Sequence, residues 1–413
     1  MVAAEDVTVS SGADRADEPA GMIAGRATPA PVGGGEFAAA YGEPLARALD
    51  LSTWRPGEDV AALYDRLERE VADALAQSDA VRAEVRRLVL PRLGRRPDAP
   101  PGAGLYAATP SHLALQHSGL LFPGEVEACD GTLAPHDTLA LSVTAIGVVL
   151  VSYQGDQGTW GHRLFRRDLR LSSGDPVQDT LALLDRRRRR AGFDYEDRRD
   201  TLSELGRRGI MAYAERAILL EKSAAAWRMG HGNPAPYELL TGSGSMDLLE
   251  RALALLARLI DFERFVFVPS APADRALLTI GDALNPLEYA IVDTAEEAMR
   301  RIVERGHYGQ RYRRLAEEFV AAYGPRVVRG VFRASAAAPA YLFYAHAERA
   351  HEAALLALAD AALQEHRGFP MLIDLADRVA GRTFSADATL GLVRAAYAAR
   401  GQPYRYLTER ETR

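Results

Sequence analysis

Apolar positions recur at helical spacing early in the chain and then give way to β-like runs. Leu63, Leu67, Val71, Ala74 and Leu75 repeat on one helical face, which predicts a long helix over residues 59–93. A shorter helix is predicted over 37–48, and the Pro-rich break at 96–104 ends the helical region. The next stretch reads as a three-stranded antiparallel meander. Its strands are residues 125–129 running into Asp130-Gly131, the β-branched and nearly all-apolar run 138–153, and residues 160–165.

The second half alternates. A helix over 207–229, a strand over 237–240, a helix over 246–260 and a strand over 265–268 give the βαβα order of an α/β fold with a mixed or parallel sheet. Residues 294–323 form a charged, peripheral helical stretch, followed by strands at 327–332 and 340–344 and helices at 347–366, 370–380 and 386–399. The expected organisation is a disordered leader over 1–35, rich in Gly, Ala, Pro and Asp, and an N-terminal helical region over 36–115. One α/β domain over 116–413 follows, with a helical insertion at 294–325.

Composition narrows the chemistry. With a formal net charge of −6 and a pI near 5.9, any nucleic-acid surface must be a local patch. Lys222 is the only lysine, so phosphate contacts would come mostly from planar, bidentate arginines. Cys129 is the only cysteine, which excludes an intrachain disulfide and a thiolate zinc cluster. No apolar run reaches the ~18–20 residues that span a bilayer. The acidic N-terminus lacks the apolar core of a secretory signal, so a cytoplasmic protein without a membrane partner is expected.

Acidic residues at special positions are the candidate chemistry. Asp130-Gly131-Thr132 at a strand end would project a carboxylate where α/β sheets bind ligands, and the glycine would let a metal or phosphate approach. Taken alone, the triplet reads more readily as a hairpin turn. Glu215 and Glu221 share one helix but, six residues apart, cannot both face one site. Glu221 is the more conspicuous, set in an apolar stretch beside Lys222. Residues 237–243 read as a strand ending in Thr241-Gly242-Ser243. Near the C-terminus, His366 precedes Gly368-Phe369-Pro370, and Asp374 and Asp377 share a helical face. The plain alternative there is a Pro-initiated helix with acids at its positive end. Arg186 through Arg190 is a solvated charge run first and a DNA-backbone clamp second.

The order of these motifs is more telling than any one of them. Cys129-Asp130-Gly131-Thr132, then Leu220-Glu221, Leu239-Leu240-Thr241-Gly242-Ser243, Phe332-Arg333, and Gly368-Phe369-Pro370 through Ala376-Asp377 together resemble the NurA nuclease family over about residues 120–400. The resemblance implies an RNase H-like mixed-sheet core with flanking helices, assembled as a homodimer. It also implies Mn²⁺- or Mg²⁺-dependent cleavage of DNA, and a HerA-like hexameric ATPase as partner in DNA-end processing or anti-phage defence. Carried over residue by residue, Asp130, Glu221 and Asp377 would hold the metal, with His366 or Asp374 completing the catalytic set. Arg333, Arg378 and Lys222 would contact DNA. Two departures stand out. The family's second strand usually ends in Asp-Gly-Ser where Thr241 is read here, with Glu238 or Asp247 as substitute acids. A lysine common after the next strand is replaced by Val268-Pro269-Ser270. The loss of a carboxylate motivates a second expectation, a catalytically weakened scaffold that guides DNA. A small-molecule phosphodiesterase is a third, less favoured because no motif resembles a nucleotide-base pocket.

Overall fold

Pro44 opens a single helical turn and Asp50 caps the next one, its side chain accepting from the Ser52 amide at 2.9 Å. The computed structural model describes residues 34–54, 60–166, 175–178, 180–181, 204–306 and 308–407. Nearly all of the expected leader, and Arg186 through Arg190, lie outside the described residues. The chain divides into two compact units, Met1–Ala74 and Leu75–Arg413. In the first, α1 (Gly34–Tyr41) and α2 (Leu45–Ala48) precede the start of α3 (Val60–Leu88). The stripe that predicts α3 is exposed at Leu67 and Val71.

The second unit is built on one mixed sheet, nine-stranded among the described residues. Its strands are β1 (Gly104–Ala107), β2 (Val126–Asp137), β3 (Ser142–Ser152), β4 (Gly155–Arg166), β5 (Trp227–His231), β6 (Phe265–Val268), β7 (Glu288–Thr294), β8 (Val327–Arg333) and β9 (Tyr341–His346). The order is β1-β7-β8-β9-β6-β5-β2-β3-β4. The meander β2-β3-β4 is antiparallel as expected, and β5 runs parallel to both β2 and β6. The helices are α4 (Pro110–Gln116), α5 (Glu204–Glu221), α6 (Tyr237–Leu240), α7 (Met246–Asp261), α8 (Arg275–Asp282), α9 (Glu296–Arg305), α10 (Gln310–Tyr323), α11 (Ala350–Ala362), α12 (Met371–Thr383) and α13 (Ala386–Ala398).

Strand alternation divides the core. Cys129, Phe265 and Phe267 join Leu219 of α5 and Leu249 of α7 on one face of the sheet. Ala128, Val266 and Val268 join Ala353 and Leu356 of α11 and Leu372 of α12 on the other. Both faces are covered, which is why β3 is buried along its whole length.

Four expectations are corrected. Asp130 is not at a strand end and begins no turn: it lies within β2 opposite Val149, because the long apolar β3 pairs with β2 as far as Asp137. The helix read over 207–229 stops at Glu221, and residues 227–231 are strand β5. Ala224 to Ala226, Arg228 and Met229 favour helix locally, but pairing with two neighbouring strands and burial of Trp227 and Met229 override that preference. Residues 237–240 are a helical turn begun at Pro236, not a strand. Strand β1, inside the region read as helical, pairs with β7.

Asp360, fully buried on α11, ties the two C-terminal helices to the sheet. Its Oδ1 accepts from the Tyr153 hydroxyl at 2.5 Å and its Oδ2 from the Leu372 amide in the first turn of α12 at 2.9 Å. Burial pushes its carboxyl up from 3.8 to about 6, outweighing both hydrogen bonds. A folded-state value above the unfolded one means that the native state holds this proton more tightly. The residue's favourable contribution is therefore complete below the unfolded value and lost as pH rises through the folded one. Asp360→Asn keeps a donor and an acceptor here and cannot ionise. Urea unfolding should show the variant gaining about 3 kcal/mol on wild type between roughly pH 4 and 7; a constant difference would refute the buried-acid account.

Candidate metal centre

The register of two parallel strands creates the site. Cys129 of β2 pairs with Gly230 of β5, so the next residues, Asp130 and His231, stand side by side at the end of β5. Asp130 is 5% exposed. Its Oδ1 accepts from the Gly131 amide at 2.8 Å, and its Oδ2 faces His231 Nδ1 at 3.5 Å. The other ring nitrogen, Nε2, is 2.9 Å from the hydroxyl of Ser270, just beyond β6. The hydrogen bond to Asp130 is the main reason why the His231 imidazolium is favoured, against the cost of its burial.

Two further acids feel this pair. By strand alternation Asp130 lies on the α12 side of the sheet, where Asp377 projects from the second turn of that helix. Burial raises the Asp377 carboxyl, Asp130's charge raises it further, and His231 pulls it back. On the opposite side, α5 brings Glu215 against Gly131. A β-carbon on Gly131 would fall 2.7 Å from Glu215 Oε1 and 3.1 Å from Met211, so the glycine leaves room for the Glu215 carboxylate where it now stands. Burial pushes the Glu215 carboxyl up and the charge of Asp130 adds to that, while Arg216 opposes it.

Arg216 is buried beside Glu215 and donates to its Oε2 at 2.5 Å. It also donates to the carbonyls of Asn233 at 2.6 Å, Pro234 at 3.3 Å and Ala212 at 3.3 Å. The helix acid and the loop after β5 are thereby fixed to each other.

Of the predicted site residues, the structure brings Asp130 and Asp377 together. Glu221 is not with them: it ends α5, half-exposed, and accepts from Arg258 at 2.9 Å. Six residues place it ~9 Å along the axis from Glu215 and on another face, so Glu215 replaces it. Lys222 is exposed just past that helix end. The imidazole acting on Asp377 is that of His231, whereas His366 is exposed in the turn before α12. Asp374 is held by Arg367 and Arg378, the latter largely exposed. Arg333 is three strands from β5 and donates to the carbonyls of Ser335, Asp282, Leu284 and Ala336, a backbone clamp rather than a phosphate contact. Thr241 is buried and bonds back to the Tyr237 carbonyl at 2.7 Å, outside the site, and Asp247 is exposed in the first turn of α7. The strand beside β2 ends instead in His231-Gly232-Asn233, which repeats the form of Asp130-Gly131-Thr132 and is the signal that locates His231.

The donors are carboxylate oxygens and one imidazole, which suit a divalent cation in kind. Because the acids straddle the sheet, no three His, Cys, Asp or Glu side chains among the described residues are gathered closely enough to hold one.

A mixed α/β sheet with an acid and imidazole cluster at a strand end defines the class. No family model matches the chain and no curated protein matches its sequence. Among solved structures it is similar to the NurA nuclease from Sulfolobus solfataricus, at 8% identity and a TM-score of 0.44 over 82% of this chain and 98% of that one. It is also similar to NurA with manganese (9% identity, TM-score 0.37, over 76% of this chain and 97% of that one). A third is NurA bound to dAMP and manganese (9%, TM-score 0.35, 76% and 92%). Identities and TM-scores this low leave the site and its activity to be argued from this chain's own residues.

Removing Arg216 would leave Glu215 buried and unpaired. Arg216→Ala should therefore cost about 3–5 kcal/mol, whereas Glu221→Ala, which breaks an exposed pair, should cost less than about 1 kcal/mol. Denaturant unfolding of the two variants compares them; equal losses would refute the difference in burial.

Proposed function

We propose that this chain is the nuclease subunit of a NurA-like complex. It would be a divalent-metal-dependent deoxyribonuclease that works as a homodimer with a HerA-like hexameric ATPase in DNA-end processing or anti-phage defence. The observation that carries the reading is the strand register that sets Asp130 beside His231 at the end of β5, on the sheet face that α12 covers with Asp377. The order β4-β3-β2-β5-β6, antiparallel and then parallel, supports the expected RNase H-like core.

Asp130 and Asp377, with His231 beside them, would hold Mn²⁺ or Mg²⁺ on the α12 face, and Glu215 would act on Asp130 from the other face of the sheet. When bound, such a cation supplies a water of lowered pKa and offsets charge building on the scissile phosphate. The protein's part is orientation. Asp130 on Nδ1 and Ser270 on Nε2 fix the His231 ring. Gly131 admits Glu215, and Arg216 keeps that acid from turning to solvent. No described helix is long and apolar enough to cross a membrane.

The weakened scaffold is the second reading. It is favoured by an imidazole where the resembled family ends its second strand in an acid, and by the absence of a three-ligand cluster among the described residues.

The two readings separate on one set of variants. Mn²⁺-dependent cleavage of linear duplex DNA should fall roughly 100-fold or more in Asp130→Ala and in Glu215→Gln, and persist in Glu221→Ala. Calorimetric Mn²⁺ binding should follow the same pattern. Unchanged cleavage in Asp130→Ala overturns the nuclease assignment, and absent or millimolar Mn²⁺ binding by the wild type favours the scaffold. Co-elution with a HerA-like ATPase tests the partner.

A further inference from the structure

We propose that Arg367 and Arg378, both clasped by Asp374, form a preset lip that grips a nucleic-acid phosphate beside the Asp130–Asp377 cluster, with Asp374 as its positioning residue. The identity of the cluster as a nuclease site is taken from the reading above; the lip itself stands on its own geometry.

Asp374 lies in the first turn of α12 with its side chain 14% exposed. One oxygen accepts from Arg367 Nη1 at 2.6 Å, and the other forms an ion pair with Arg378 Nε at 3.1 Å. The two arginine side chains remain 51% and 65% exposed. Asp374 is shared between the two arginines, and Arg378 also acts on the neighbouring Asp377 carboxyl. This differs from Arg216, Arg329 and Arg333, whose donors are taken up by carbonyls or carboxylates of the protein. A pair that served stability alone would need only one arginine, and exposed pairs contribute about 0–1 kcal/mol.

The lip is also held in place. Gly368 has φ +59°, and a β-carbon there would lie 2.5 Å from that of Ala338, so the bend after Arg367 admits only glycine. The Gln364 carbonyl accepts from the amides of Arg367 at 3.0 Å and Gly368 at 2.7 Å, and the Gln364 side chain donates to the Phe369 carbonyl at 3.3 Å. Phe369 stands edge-on to His231, with centroids 6.1 Å apart, and Arg378 follows Asp377 in the chain. The Gly-Phe-Pro segment thus connects the arginines to the acid cluster. An acidic cluster repels a phosphodiester unless cations stand at its rim, and planar forks match phosphate oxygens two at a time.

The test uses the full chain and a fluorescein-labelled DNA duplex in EDTA, so that binding is read without metal or turnover. Fluorescence anisotropy across a salt series should show Arg367→Gln/Arg378→Gln binding more weakly at every salt concentration, its log–log salt slope reduced by about two. Asp374→Asn should also weaken binding although it removes a negative charge, whereas a simple charge effect would strengthen it. Unaltered thermal melting checks that the variants fold. If the double variant binds as wild type does, or Asp374→Asn binds more tightly, the lip is overturned even where wild type cleaves DNA with Mn²⁺. If the slope falls as expected but wild type does not cleave, the lip stands and the nuclease reading falls.

Discussion

A guanidinium sealed from water must satisfy its donors within the protein, and Arg216 does this by bridging α5 and the loop after β5. Its donors go to Glu215 and Ala212 within α5 and to the carbonyls of Asn233 and Pro234 beyond β5, with its charge over the Phe267 ring at 5.4 Å. Separating helix from loop would strand a charge in an apolar layer, which costs several kcal/mol. The helix acid and the strand-end imidazole are therefore fixed by one residue that needs no contact with substrate.

A second tie works from the other face. Asp360 accepts the Leu372 amide at the start of α12, and that helix carries Asp374, Asp377 and Arg378 on successive positions of one side. The candidate centre is the place where the α5 tie and the α12 tie meet at the edge of β2. Each tie buries an ionisable group that the fold must compensate, Arg216 with a carboxylate and carbonyls, Asp360 with a hydroxyl and an amide. Stability is spent on position at the two helices that bring acids to Asp130, while the outer helices α9 and α10 rest on ordinary apolar burial of Met299, Val303 and Phe319.

Where one periodicity dominates, the chain is legible. Leu249, Leu253, Leu256 and Ile260 mark the inner face of α7, and Phe265–Val268 reads as the buried strand that it is. Asp130 is legible as a polar residue beside an apolar run. Strand β5 is not, because its residues prefer helix and only its two neighbours make it a strand. The choice between Glu215 and Glu221 fails for a related reason. Glu221 looks inward because its sequence neighbours are apolar, yet those neighbours cover the other side of the helix. Glu215 is buried because Arg216 pairs with it and because Gly131 on β2 offers no side chain to exclude it. Both conditions are properties of contact across the fold and leave no trace in local spacing. Misplacing β5 also shifts the second strand end from His231 to Thr241.

An imidazole at this strand end has a physical consequence for any cation that the proposed site would hold. Replacing a carboxylate by an imidazole removes one negative charge, and at 4 Å in an effective dielectric of about 20 one unit charge interacts with another by ~4 kcal/mol, twice that for a divalent ion. Imidazole nitrogen also suits transition metals better than Mg²⁺, which prefers oxygen in near-ideal octahedral geometry. A cation held by an Asp130–His231 pair would thus bind more weakly than at an all-carboxylate site, with selectivity tilted from Mg²⁺ toward Mn²⁺. In the chain itself His231 Nδ1 lies 3.5 Å from the Asp130 carboxylate, and that neighbour favours the imidazolium against the cost of burying the ring.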